Sequence, residues 1–134
     1  MRVRGIHHLG VAVSDLDEAI ATYERLFDAR LERRDSLAEQ GVVAASLFVG
    51  EGRVELVAPT GDDTPVGRFL ASRGPGMHHV ALDTDDVHAA LRELAEAGAQ
   101  LIDESPRPGL FGLEVAFVHP SAVHGVLTEV VSSG

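Results

Sequence analysis

The sequence contains no cysteine, no lysine and no tryptophan, and aromatic side chains make up only 4 % of its 134 residues. Without cysteine there is no disulfide, no thiolate metal ligand and no thiol nucleophile. Without lysine, Schiff-base chemistry on a side chain and a P-loop lysine are excluded. All 11 basic side chains are arginines, and they stand against 21 acidic ones for a net charge of −10. A field of that sign repels nucleic acid and anionic membrane surfaces, so neither is an expected partner. No apolar run approaches the roughly 20 residues of a bilayer span. Met1-Arg2-Val3-Arg4-Gly5 leads straight into an alternating pattern rather than a signal-peptide core, and a cytoplasmic protein is expected. What remains is one ordinary globular domain of 14.2 kDa, 45 % apolar and 24 % charged.

Histidine is not scarce. There are seven, and four of them form two His-His pairs that expose an internal repeat. Ile6-His7-His8-Leu9-Gly10-Val11-Ala12-Val13 aligns with Met77-His78-His79-Val80-Ala81-Leu82-Asp83-Thr84, a shift of 71 residues. The same shift carries Asp15 onto Asp86, and Leu16, Ile20, Tyr23 and Phe27 onto Val87, Leu91, Leu94 and Gly98. That spacing is the apolar stripe of an amphipathic helix, with an aspartate placed to cap its start. Strands are predicted after each helix: 31–36, 41–49 and 53–58 in the first copy, and 100–103, 113–118 and 125–131 in the second. The pattern is βαβββ twice. It predicts an α+β domain of two modules, about 5–59 and 76–132, joined by a linker over 60–75 with one short helix near Val66–Ser72.

Alternation along the strands sorts the side chains. Leu9, Val11 and Val13 share the face that packs on the helix, and Val80 and Leu82 do so in the second copy. His8, Gly10 and Ala12 take the opposite face, as do His79 and Ala81; His7 and His78 fall with the apolar set or at its edge. The last strand of each module carries a glutamate among aliphatic residues, in Arg53-Val54-Glu55-Leu56-Val57 and Leu127-Thr128-Glu129-Val130-Val131. A mid-strand carboxylate is costly unless it is exposed, paired or bound to a metal. Strand histidines are often satisfied core groups, strand glutamates often point to water, and a duplication copies such residues too. Against that, His8, Glu55, His79 and Glu129 recur in matched places. Two imidazoles and two carboxylates suit one divalent ion such as Co, Mn, Ni, Zn, Fe or Mg. His88 reads as solvated on its helix, Arg30, Arg33 and Arg34 as a solvated strand edge, and His119 and His124 as loop residues near the last strand.

The chain also resembles a known family. His7-His8-Leu9-Gly10-Val11-Ala12-Val13, followed by Asp15-Leu16-Asp17-Glu18-Ala19, is similar to the opening of vicinal oxygen chelate proteins. Glu39-Gln40-Gly41-Val42, Val54-Glu55-Leu56-Val57-Ala58-Pro59 and Gly76-Met77-His78-His79-Val80-Ala81 narrow the resemblance to the methylmalonyl-CoA epimerase family. So do Asp103-Glu104-Ser105-Pro106-Arg107-Pro108-Gly109, Phe117-Val118-His119-Pro120 and Gly125-Val126-Leu127-Thr128-Glu129.

The resemblance spans residues 5–131 and implies a vicinal oxygen chelate fold, in which the two modules form a curled mixed sheet around a metal. It places the metal ligands on His8, His79 and Glu129, with Glu55 at a position that is glutamine or glutamate across the family. It implies interconversion of (2R)- and (2S)-methylmalonyl-CoA through an enolate. Glu55 and Glu129 are then the acid-base pair, an acyl-CoA is the substrate and a homodimer is the expected assembly. Some family members carry a catalytic glutamate where this chain has Ala44, which makes Glu55 the first choice for one base. Many have lysine where it has Ser121, so local arginines such as Arg68, Arg73 and Arg107 would have to meet the CoA phosphates. Alternative readings are another enzyme of the superfamily, such as a glyoxalase or a dioxygenase, and a metal-free resistance protein that binds a flat drug.

Overall fold

The structure is a computed structural model and describes residues 2–133. The chain divides into two compact units. One is His8–His78; the other joins the segment up to His7 with the segment from His79 onward. Among the described residues the eight strands are β1 (Val3–Ala12), β2 (Arg30–Leu37), β3 (Val42–Val49), β4 (Gly52–Pro59), β5 (Gly76–Thr84), β6 (Arg107–Pro108), β7 (Glu114–Val118) and β8 (Thr128–Ser132). The α-helices of the described residues are α1 (Leu16–Phe27), α2 (Pro65–Arg73) and α3 (Val87–Glu96). Among the described residues, no helix is long and apolar enough to cross a membrane.

In the His8–His78 unit the strand order is β2-β3-β4-β1, with β1 parallel to β4 and the other neighbours antiparallel. Asp15 caps α1 as its spacing predicts: its side chain accepts the Glu18 N–H at 3.0 Å, an arrangement that typically contributes about 1 kcal/mol. The helix buries Leu16 and Ile20 against Ala45, Leu47, Leu56 and Ala58, with Val11, Val13 and Tyr23 packed around them. All of these strand residues lie on one face, because side chains alternate. The linker helix α2 spans one residue more at each end than the predicted Val66–Ser72, with Thr64 as its N-cap. The edge strand β2 is exposed along most of its length and carries a bulge between Leu31 and Arg33.

The other unit repeats the plan, in the order β5-β8-β7-β6, with β5 parallel to β8. Asp86 caps α3 through the Ala89 N–H at 3.3 Å. Val87 and Leu91 pack on Ala116 and Val130, with Leu94 and Leu101 beside them. Arg4 from the start of β1 joins this unit by pairing with Asp83 at 3.2 Å and Asp85 at 3.5 Å.

Three details depart from the sequence expectation. The segment 100–103 is not a strand; only Leu101 bridges to Val118. Beyond it Ile102 N–H and Asp103 N–H both converge on the Phe117 carbonyl, at 3.0 and 3.2 Å. The Asp103 carboxylate then accepts the Phe117 N–H at 2.8 Å, where a neighbouring strand would have offered a carbonyl. A side chain thus takes over the ladder bond, and strand pairing resumes only at Arg107–Pro108. Second, β8 begins at Thr128 rather than Gly125, because Gly125 has φ +95 and Val126 O accepts the Thr128 hydroxyl. Third, Gly98, the repeat partner of Phe27, lies past the end of α3 at φ +86.

Candidate functional site

In each unit, one face of the sheet carries the helix and the other carries the repeated histidine and glutamate. The strand register brings them together. In the His8–His78 unit, Gly10 of β1 is registered with Glu55 of β4, and Ser46 of β3 with Glu55 from the other side. His8 Nε2 lies 3.2 Å from Glu55 Oε2, with both side chains almost fully buried. The small residues Gly10 and Ala12 on the same face of β1 make room for the pair. Ala44, also on this face, is fully buried between Asp35 and Val57 in the register and presents only a methyl group.

In the other unit Ala81 of β5 is registered with Glu129 of β8, and Phe117 of β7 with Glu129 from the opposite side. His79 stands edge-on to Phe117, ring centroids 6.1 Å apart. His79 is 6 % exposed and Glu129 8 %, so this carboxylate too is withdrawn from water. The four residues singled out in the sequence are therefore buried, two per unit, on the helix-free faces. Their partners in the His-His motifs turn the other way. His78 is half-buried against Phe69, centroids 4.9 Å apart, and its proton affinity is lowered by burial and by Arg73.

Burial has a direct consequence for Glu55. Loss of hydration raises its carboxyl from 4.5 to about 7, so it holds a proton far more tightly than an exposed glutamate. The folded state binds this proton more strongly than the unfolded chain does. Its contribution is therefore fully favourable below pH about 4.5 and is lost as pH rises towards about 7. The full difference is on the order of 3 kcal/mol. Glu55→Gln removes the ionisation. In urea titrations of the metal-free protein it is expected to be more stable than wild type above pH 7 by up to about that amount, with the gap closing towards pH 4.5. A gap that does not change with pH would show that Glu55 does not carry this shift.

Other groups on the helix-free faces escaped the sequence reading. Glu32, at the β2 bulge, accepts the Ser46 hydroxyl at 2.8 Å and two Arg53 N–H groups at 2.9 and 3.1 Å. Arg53, with the Ser46 bond as a lesser contributor, outweighs desolvation and holds the Glu32 carboxyl below its ordinary value. Arg30 and Arg53 both stack on Phe48, 5.4 and 5.0 Å from its centroid. The bulge that turns Glu32 toward Ser46 leaves no mark in the hydrophobic pattern. Phe117 could have been found from alternation, since its neighbours in β7 belong to the helix face. His88 is exposed as expected, 3.7 Å from Glu114, and His119 serves locally by accepting the Ser121 N–H.

The donor set fits a divalent metal ion. Imidazole and carboxylate are its usual borderline and hard ligands, and a carboxylate withdrawn from water is costly unless a cation or a proton neutralises it. His8, His79 and Glu129 each offer one such buried ligand atom.

Comparison with known proteins gives the family. Residues 7–117 match the sequence model of the Glyoxalase/Bleomycin resistance protein/Dioxygenase superfamily. The mitochondrial methylmalonyl-CoA epimerase of Bos taurus is 35 % identical over 125 residues, covering 92 % of this chain and 71 % of the bovine protein. The ethylmalonyl-CoA/methylmalonyl-CoA epimerase of Cereibacter sphaeroides is 31 % identical, covering 92 % of this chain and 94 % of its own length. A Streptomyces coelicolor methylmalonyl-CoA epimerase variant, solved in complex with 2-nitronate-propionyl-CoA, superposes with a TM-score of 0.95. It is 34 % identical, with 99 % of this chain and 96 % of that chain covered.

Proposed function

We propose, from the premise that the chain belongs to the glyoxalase/bleomycin resistance/dioxygenase superfamily and within it to the methylmalonyl-CoA epimerase family, that it interconverts (2R)- and (2S)-methylmalonyl-CoA. The observation that carries the reading is the burial of His8, Glu55, His79 and Glu129 on the helix-free faces of a chain with these relatives. His8, His79 and Glu129 would hold one divalent ion, with Glu55 as fourth ligand or beside it. When bound, the ion supplies Lewis-acid stabilisation to negative charge developing on the thioester oxygen.

The side chains do the rest. Inversion at the carbon between thioester and carboxylate requires a proton to leave one face and another to arrive on the opposite face. Glu55 takes the proton as its C–H bond breaks, and the electron pair moves onto the thioester carbonyl as an enolate. Glu129, doubling as ligand and proton carrier, would loosen from its ligand position to deliver a proton from the other side; exchange with water then resets both carboxyls. Ala44 leaves no carboxylate at the place where some family members carry one, which puts the work on Glu55. In this reading the domain is a single unit of function with modules over 5–59 and 76–132, and it acts in the cytoplasm as a homodimer. The metal is one of Co, Mn, Ni, Zn, Fe or Mg.

Chiral analysis of (2R)-methylmalonyl-CoA incubated with the protein and a divalent ion is expected to show approach to an equal mixture with the (2S) form. In D2O the product should carry deuterium at the α-carbon. Retention of configuration with no deuterium uptake, under every ion of that set, would overturn the reading.

A further inference from the structure

We infer that Arg107 binds an anionic group of the acyl-CoA, its guanidinium laid over Phe117 and held there by Asp103. The inference rests on the acyl-CoA reading above. Three arginines outside the helix-free face of β4 were candidates for such a role, and their surroundings separate them. Arg68 is tied to Asp63 at 2.9 Å on an exposed surface, and Arg73 covers Phe69 at 5.5 Å. Arg107 is different. Its register partner is Val115, which packs with Ala81 and Val131, so its side chain leaves the sheet on the face that carries His79 and Glu129.

Its guanidinium carbon lies 5.3 Å from the centroid of Phe117, the ring that stands against His79. Asp103 Oδ2 is 3.3 Å from Arg107 Nε and attracts it. The same oxygen already accepts the Phe117 N–H at 2.8 Å, and Nε is left buried without a hydrogen bond. The remainder of the side chain is not enclosed: it keeps 39 % exposure. A planar cation with fixed orientation and donors to spare is the usual means of holding a carboxylate or phosphate. Stacking on an aromatic face fixes the plane without using those donors. Gly109, two residues on, packs so closely that a Cβ there would meet Val115 Cγ1 at 2.7 Å, which anchors the backbone from which Arg107 projects.

An acyl-CoA of the malonyl class has two kinds of anionic oxygen, the acyl carboxylate and the CoA phosphates. Titration calorimetry of the metal-loaded protein with malonyl-CoA and with malonyl-pantetheine, which has no phosphate, separates them. Arg107→Gln is expected to weaken malonyl-CoA binding by roughly 10- to 100-fold. If malonyl-pantetheine is weakened equally, the partner is the carboxylate; if its affinity is unchanged, the partner is a phosphate; either result supports the inference. Arg107→Lys, which keeps the charge without the fork, should recover part of the affinity, while the thermal midpoint stays that of wild type in both variants. Unchanged affinity for both ligands overturns the inference. So does a loss that tracks a fallen thermal midpoint in both variants, since that is a folding defect. Should wild type bind malonyl-CoA yet leave methylmalonyl-CoA unepimerised, the functional reading fails and the Arg107 assignment stands. Should wild type bind neither ligand, the assignment fails.

Discussion

Glu55→Gln should stop interconversion of the two methylmalonyl-CoA stereoisomers, lowering turnover by on the order of a thousandfold, while one stereoisomer still exchanges its α-proton with deuterated solvent. The asymmetry is the informative part. Glutamine keeps the size and the hydrogen-bonding capacity at the site but accepts no proton, so only the face that Glu55 serves falls silent. Glu129 remains able to remove and return a proton on its own face, which exchanges hydrogen without inverting the carbon. Ala44 makes this outcome sharper than it would be in a relative with a carboxylate there, because a buried methyl group cannot take over the proton. Full epimerisation by the Glu55→Gln protein would remove Glu55 from the reaction. Loss of exchange with both stereoisomers, with the metal still bound, would mean that the glutamates do not act independently.

The second large effect concerns the ion. His8→Ala should abolish stoichiometric metal binding and with it activity, whereas His7→Ala should leave one ion per chain. The two residues are adjacent, and a propensity or charge argument would treat them alike. The strand separates them: His8 is 2 % exposed beside Glu55, and its neighbour must point to the other face. Metal analysis of the two purified variants decides the matter. Retention of the ion by the His8→Ala protein, or its loss from the His7→Ala protein, would overturn the ligand set.

The burial of these residues is legible in the sequence because two regularities agree. Alternation assigns faces, and the repeat at a shift of 71 residues carries the same assignment into the second module. Asp15 and Asp86 were legible for a similar reason, since a helix start leaves N–H groups that a short carboxylate satisfies. The second module hid what the first displayed. Its segment 100–103 has strand-like composition, but Asp103 uses its side chain where a backbone carbonyl was expected, and no pattern of hydrophobicity encodes that exchange. Likewise, Glu32 reads as one more charge on a charged strand until the bulge turns it to Ser46 and Arg53. The raised proton affinity of Glu55 was also beyond the sequence, which can place a carboxylate among aliphatic neighbours but cannot tell how completely they exclude water.

The edge strand β2 has a bearing on how this protein behaves at high concentration. A strand with a partner on one side only offers a row of free N–H and C=O groups, and the commonest accident of sheet proteins is for a second molecule to add its own strand there and begin a fibril. Here the edge reads Arg-Leu-Glu-Arg-Arg-Asp-Ser-Leu, and its bulge interrupts the straight register that an incoming strand would need. A second copy of β2 would have to bring its own charged side chains alongside these and dehydrate them. The same residues that give the strand its uninformative, merely solvated appearance therefore guard the open side of the sheet against amyloid-like growth.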